Sequence, residues 1–316
     1  MAEIVNLLFN EKNILNLTAH NILYRPIENS FPYKLLSLIK RKKMKNVLTP
    51  VILMLLTIGC FAGSPAISDT VPKHDSLTIY SEHTKERRVI NVWTPPIYNQ
   101  STDSMPVIYM PDGGIGEDFP HIANTLAKLI ENEEIPPCIL VGIENTERGR
   151  DLTGGSNVKK HEKYKIPMTD GAKDFRAFIS DELIPEINAR YRTTNKKGII
   201  GESLAGLFVI ETFLLKPESF DFYIAMDPSL WWNKNFLVNN ADDFLDSLPK
   251  RGTKLWFAGS GAKDISKYTN QLAKKLEKKN FNFLKWKYSD EPKEKHNTIF
   301  RATKEKALIW IMNDNE

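Results

Sequence analysis

Residues 198–208 read Gly198-Ile199-Ile200-Gly201-Glu202-Ser203-Leu204-Ala205-Gly206-Leu207-Phe208. A short apolar run leads into a serine, small residues stand two places before and after it, and a run of helical length follows. That is the pattern of a nucleophile elbow, a tight strand-to-helix turn on which the serine takes strained dihedrals. The residues two before and two after the serine nearly touch in such a turn, and Gly201 and Ala205 suit that crowding. The helix N-terminus and the Leu204 backbone N–H would then face a developing oxyanion. The motif alone is weak, and its plain alternative is a serine capping a buried helix. The setting along the chain decides between them.

From residue 75 onward, short apolar runs alternate with longer amphipathic ones. Strands are predicted over 77–81, 89–93, 106–110, 138–143, 198–201, 222–226, 254–257 and 283–288. Several are continuously apolar, as in VIYM, CILVGI and FYIAM, which suits strands buried on both faces of a parallel sheet. The first two are close together and more mixed, as in an antiparallel hairpin. Helices are predicted over 122–131, 172–191, 204–215, 263–279 and 298–313. In 172–191 the residues Phe175, Phe178, Ile179, Leu183 and Ile187 recur at three and four, an amphipathic stripe. The alternation implies a doubly wound, mostly parallel α/β sheet with antiparallel first strands. The polar, glycine-containing segment 144–169 reads as a surface loop of the kind that carries function. No internal repeat or low-complexity linker interrupts this.

A serine hydroxyl needs a neighbouring base. Behind an elbow of this type the chain order is serine, acid, histidine. His296 is the one histidine after Ser203, and it stands between the last predicted strand and the final helix. His20, His74, His83, His121 and His161 all precede the serine, and a non-catalytic reading suits them. The acid is expected after the penultimate strand, where Asp264 follows Gly259-Ser260-Gly261. A carboxylate at a helix N-terminus is its plain alternative. Asp227, Asp290 and Glu291 are the other candidates, and a Ser–His dyad oriented by a backbone carbonyl stays open.

The run Val107-Ile108-Tyr109-Met110-Pro111-Asp112-Gly113-Gly114-Ile115-Gly116 is a strand followed by a glycine-rich turn. Its N–H groups could point at an oxyanion, with Gly114 as second donor beside Leu204; a plain turn is the alternative. It is no phosphate loop, because no G-K-[ST] follows.

These residues resemble the esterase family that includes enterochelin-type siderophore esterases, esterase D and bacterial mycolyltransferases. The resemblance runs over about residues 76–314. It rests on VIYMPDGG at 107–114, Arg148-Gly149-Arg150-Asp151-Leu152-Thr153, and Phe178-Ile179-Ser180-Asp181-Glu182-Leu183-Ile184-Pro185 with Tyr191-Arg192. It rests also on GESLAGLF at 201–208, Pro228-Ser229-Leu230-Trp231-Trp232, and His296. It implies the α/β-hydrolase fold. It also implies an arginine near the substrate, Arg148 or Arg150, either of which could instead pair with Asp151 or Glu147. The Trp pair would shape the pocket wall or pack beneath it; Trp231 is taken as the pocket residue, although the sequence does not separate it from Trp232. Two departures stand out: relatives commonly carry His where Glu202 stands, and a serine where Asp227 stands. A carboxylate at 227 could alter the acid assignment or disfavour anionic substrates, so siderophore specificity is not carried over.

The bulk numbers agree with one large α/β domain. The chain has 316 residues, 41% hydrophobic and 26% charged, and a formal net charge of +4. Residues 1–43 hold seven Lys/Arg against three acids, which leaves 36 of each sign in the remainder. A neutral body gives no electrostatic case for nucleic acid. Two cysteines, Cys60 and Cys138, provide neither a disulfide framework nor zinc spacing, and no metal or organic cofactor is implied. Cys138 reads as a buried strand thiol. Residues 44–66 have the layout of an export leader: Met44-Lys45, the apolar run VLTPVILMLLTIGCFA at 47–62, then small residues, with cleavage after Ala62 or Ala66. Cys60 after Gly59 also suggests a lipid site, although Thr57 replaces the usual branched aliphatic residue. On this reading translation starts at Met44, residues 1–43 are an upstream extension, and residues 67–316 are the catalytic domain, periplasmic or secreted. Otherwise 1–43 would be cytoplasmic and 47–62 a membrane anchor. The expected function is an exported serine hydrolase cleaving a small-molecule ester through an acyl-enzyme. An acyltransferase with a sugar or lipid acceptor and a non-catalytic surface-binding protein are the alternatives. Oligomeric state is not legible.

Overall fold

The structure, a computed structural model, describes residues 69–159, 161, 166 and 168–313. The extension 1–43, the leader 44–66 and Cys60 lie outside the described residues. Residues Ser68–Glu316 form one compact unit. Its centre is an eight-stranded sheet: β1 Asp75–Ser81, β2 Glu86–Trp93, β3 Met105–Pro111, β4 Ile139–Ile143, β5 Thr193–Glu202, β6 Phe222–Met226, β7 Thr253–Ser260 and β8 Leu284–Glu291. The strand order is β1-β2-β4-β3-β5-β6-β7-β8. β1 and β2 form the expected antiparallel hairpin, and β2 meets β4 antiparallel. From β4 through β3 to β8 every pairing is parallel.

The helices are α1 Phe119–Glu131, α2 Arg148–Asp151, α3 Gly171–Ala177, α4 Ile184–Arg190, α5 Leu204–Leu215, α6 Trp232–Asn239, α7 Ala241–Asp246, α8 Lys263–Lys279 and α9 Ile299–Met312. The two-residue period of the strands sorts their side chains between two cores. On one face, Val107 and Tyr109 of β3, Tyr223 and Ala225 of β6, and Leu255 and Phe257 of β7 pack with residues from α3, α4, α5, α7 and α8. On the other, Ile108 and Met110, Ile224 and Met226, and Trp256 and Ala258 pack under α1 and α9. The middle strands read as continuously apolar because both faces are covered.

Three local differences from the sequence reading have physical causes. The single helix expected over 172–191 is broken by a π-helical segment, Phe178–Leu183, between α3 and α4; the stripe is buried all the same. The loop 144–169 contains the one-turn helix α2. Helix α6 opens with Asn233, Lys234 and Asn235 in the left-handed region, which no periodicity signals, and α7 is too short, at six residues, to show a pattern of its own. No helix among the described residues is long and apolar enough to cross a membrane. Cys138 is fully buried before β4, and burial pushes its thiol up to about 12.

Candidate active site

Three strands end on a residue in the left-handed region at the same edge of the sheet: Asp112 after β3 (φ 57°), Ser203 after β5 (φ 60°) and Asp227 after β6 (φ 47°). None is glycine, so each turn carries backbone strain that the surrounding packing must hold. Ligand sites of open parallel sheets form at this C-terminal edge.

The strain at Ser203 is held from both sides. Its N–H donates to Met226 O at 3.0 Å, and its carbonyl accepts from Leu207 N at 2.9 Å and from Ser229 N at 3.0 Å. A Cβ on Gly201 would come within 2.7 Å of the Ala205 carbonyl carbon and Cβ, so only glycine lets strand and helix approach this closely. The serine is therefore lifted out of the strand line at the head of α5. The first N–H groups of that helix, Leu204 foremost, have no acceptor within the helix and suit an oxyanion.

His296 lies between β8 and α9. Its loop is pinned to the end of β7, where Gly261 N donates to Glu294 O at 3.0 Å and a Cβ on Gly261 would reach Pro292 O at 2.5 Å. His296 Nε2 is 3.0 Å from Ser203 Oγ, and its Nδ1 is 2.6 Å from Asp227 Oδ2. Asp227 is fully buried, and its carboxylate accepts Ser260 N at 2.5 Å and Ser260 Oγ at 2.8 Å. The His296 side chain stays 45% exposed, which leaves room for an entering substrate. The hydrogen bond to Asp227 raises the imidazole above its ordinary value, burial opposes this, and the Glu202 and Asp264 carboxylates add to the rise.

Asp227 therefore takes the place expected for Asp264. The acid sits one strand earlier than anticipated, and its side chain reaches across to the end of β7. Asp264 occupies the first turn of α8. It lines a cavity of about 400 Å³ with Val158, His161, Trp231, Lys234 and Tyr268, among others. It bears on His296 only as a further charge. The signal for Asp227 was present as a departure from the resemblance at that position. Asp290 and Glu291 do not reach the imidazole either: Glu291 pairs with Lys306, and Asp290 accepts from the Tyr288 hydroxyl.

The turn after β3 also corrects an expectation. Gly114 N donates to Glu117 Oε2 at 2.7 Å, and Glu117 N returns a bond to Gly114 O at 3.0 Å. The N–H expected to receive an oxyanion is thus bound to an internal carboxylate, which Asn145 Nδ2 also holds at 2.8 Å. Arg148 belongs to the same network. Its Nε and Nη2 grip Asp112 bidentately at 2.6 and 2.7 Å, and Asn145 donates to the same carboxylate. Arg148 stays partly exposed at the edge of the site. Arg150 is turned away. It pairs with Asp151 and Glu86 beside the fully buried Arg88, whose Nη1 donates to Asp151 Oδ2 at 2.6 Å. Arg88 Nη2 lies 2.6 Å from Glu86 but is too poorly aligned to count as a hydrogen bond. The network ties α2 to β2, and Arg150 is engaged in it.

The two tryptophans separate cleanly. Trp232 is buried at 4% exposure, donates from Nε1 to Gly154 O at 2.8 Å, and stacks on His161 at 4.4 Å. Trp231 lines the cavity and meets the same histidine edge-on at 5.6 Å. No group of three or more His, Cys, Asp or Glu suited to a metal ion occurs among the described residues.

An eight-stranded, mostly parallel sheet with helices on both faces, and a serine at a strained turn hydrogen-bonded to a histidine, define an α/β hydrolase. A family profile described as "Putative esterase" matches residues 81–304, and the chain belongs to that family. Among curated relatives, the ferri-bacillibactin esterase BesA of Bacillus subtilis is 34% identical over 162 residues, 47% of this chain and 56% of that protein. The siderophore triacetylfusarinine C esterase of Aspergillus fumigatus is 33% identical over 79 residues, 24% of this chain and 27% of that protein. The chain thus matches just over half of the first relative's length and about a quarter of the second's. Among solved structures, an IroE-like serine hydrolase from Shewanella oneidensis superposes with a TM-score of 0.70 at 26% identity, covering 76% of this chain and 80% of that one.

Proposed function

We propose that this protein is an exported serine esterase that cleaves carboxylic esters through an acyl-enzyme on Ser203. The observation that carries the reading is the single line of contacts from Ser203 Oγ to His296 Nε2 and from His296 Nδ1 to Asp227. Neutral His296 takes the proton from Ser203 as the hydroxyl attacks the ester carbonyl, and returns it to the leaving alkoxide. Water then attacks the acyl-enzyme by the same route in reverse roles. Asp227 fixes the proton on Nδ1 and stabilises the imidazolium. Leu204 N–H, with the positive end of α5 behind it, receives the oxyanion. The 112–117 turn lies at the neighbouring strand end, and Arg148 holds that turn through Asp112. Trp231 and its cavity beside the site suit an apolar or aromatic part of the substrate.

The esterase names of the relatives support ester-linked siderophores as a substrate class, and the layout of residues 44–66 supports export. The test uses purified protein, a panel of p-nitrophenyl and siderophore esters, and the variants Ser203→Ala and His296→Ala. Hydrolysis that disappears in both variants is the expected result. Hydrolysis that survives in Ser203→Ala overturns the assignment.

A further inference from the structure

Glu202 directly precedes the serine and is the last residue of β5, paired in register with Met226 beside Asp227. Strand alternation puts it on the face of Ile200, under α1 and α9. It is only partly exposed, yet its carboxylate has no hydrogen-bond partner among the described residues. The three other carboxylates that act most strongly on it are each engaged: Asp112 by Arg148, Asp118 by His121, Asp227 by His296 and Ser260. The charged groups that act most strongly on Glu202 are His296 before α9, Asp118 at the head of α1, Asp227 after β6 and Asp112 after β3, and Arg148 of α2 acts on it as well. Among these groups, four carboxylates, Glu202 included, stand against the Arg148 guanidinium and the imidazole. Of these four, the one without a hydrogen-bond partner among the described residues is the one next to the nucleophile.

We propose that Glu202 sets the charge preference of the site, favouring esters with a positive charge within a few bonds of the scissile carbonyl and disfavouring those with a negative charge there. The inference rests on the serine-esterase reading above. Its physical basis is that a partly desolvated, unneutralised carboxylate gains a partner when a cationic group binds and repels an anionic one. An ester-linked iron chelator falls under the same rule: its metal-free or neutral form is preferred over a polyanionic ferric complex.

The test is a matched set of p-nitrophenyl esters with one leaving group and three acyl chains: butyrate (neutral), 4-trimethylammoniobutanoate (cationic) and hydrogen succinate (anionic). In the wild type kcat/KM falls in the order cationic, neutral, anionic, by about five- to tenfold per step at low ionic strength, and high salt compresses the series. In Glu202→Gln the cationic-to-anionic ratio drops at least about tenfold, and Glu202→Asp restores part of it. The ratio within one variant is the readout, because a merely structural loss scales all three esters together. Burial, with the neighbouring carboxylates, pushes Glu202 up to about 7. The cationic-to-neutral ratio therefore rises from pH 6 to pH 8, while the titration of His296 cancels in it. A ratio unchanged in Glu202→Gln, or a wild-type preference for the anionic ester, overturns the proposal. Phosphonylation of Ser203 by a matched cationic and neutral phosphonothiolate pair reads the same preference without deacylation. If neither reagent labels Ser203 and no ester is cleaved, the serine-esterase reading itself fails, a result distinct from a flat ratio.

Discussion

Replacing Asp227 with asparagine exchanges one oxygen for an amide nitrogen and leaves the shape of the site almost unchanged. Oδ1 accepts the backbone N–H of Ser260 at 2.5 Å, so the asparagine carbonyl must stay there. Its NH2 group then faces Ser260 Oγ and His296 Nδ1, 2.8 and 2.6 Å from the present Oδ2. Ser260 can turn its hydroxyl to accept. His296 can accept at Nδ1 only by carrying its proton on Nε2, the atom that must take the proton from Ser203. The base is thus locked in the unproductive tautomer, and the imidazolium loses its counter-charge. The expected fall in kcat is about 10³- to 10⁴-fold, or about 4–5.5 kcal/mol of barrier. Stability should change little, because a buried carboxylate becomes a neutral group that keeps the Ser260 bond. The companion variant Asp264→Asn, which touches neither ring nitrogen, should cost less than about threefold. Steady-state hydrolysis of p-nitrophenyl butyrate, with thermal melts to confirm folding, decides the matter. If Asp264→Asn loses as much as Asp227→Asn, the acid assignment is wrong.

Other expectations follow from the same geometry. Gly201→Ala places a Cβ 2.7 Å from the Ala205 backbone; it should destabilise the fold by about 1–3 kcal/mol in urea titrations and lower activity further, and an unchanged midpoint would refute the close approach. Arg88→Met should cost about 3 kcal/mol or more, because Asp151 and Glu86 then share only Arg150; a loss under about 1 kcal/mol would show that the buried network is not stabilising. General-base catalysis needs neutral His296, whose carboxylate neighbours raise it above 6.5. The acid limb of kcat/KM should therefore inflect above pH 6.5 and move down in Glu202→Gln, and an inflection below 6.5 in the wild type would contradict the placement of those carboxylates. Trp231→Ala should reduce kcat/KM for bulky acyl groups more than for acetate, whereas a uniform loss would place Trp231 outside the substrate path.

Much of the fold was legible because the parallel strands are buried on both faces. VIYM, CILVGI and FYIAM stand out as apolar runs, and all lie within or beside strands of the observed sheet. The Ser203 turn was legible because the crowding of strand against helix restricts residue 201 to glycine, and His296 because the chain order left a single histidine. What was missed depends on contacts across the chain. Asp227 and Asp264 are both carboxylates near strand ends, and only the packing of β6 against β7 shows which one reaches Nδ1. Gly114 looked like an open donor because the return of Glu117 onto its N–H is a property of the folded turn. Arg150 was indistinguishable from Arg148 until Glu86, on a strand more than sixty residues away, claimed it. The left-handed run Asn233–Asn235 has no glycine to announce it.

The central claim is that Ser203 carries the acyl group. Rapid acid quench of the protein during turnover of p-nitrophenyl butyrate, followed by peptide mass analysis, tests it directly. The expected result is a butyryl group on the peptide containing Ser203, absent in Ser203→Ala and slow to accumulate in His296→Ala. A butyryl group on another residue, or ester hydrolysis that continues undiminished in Ser203→Ala, would contradict it.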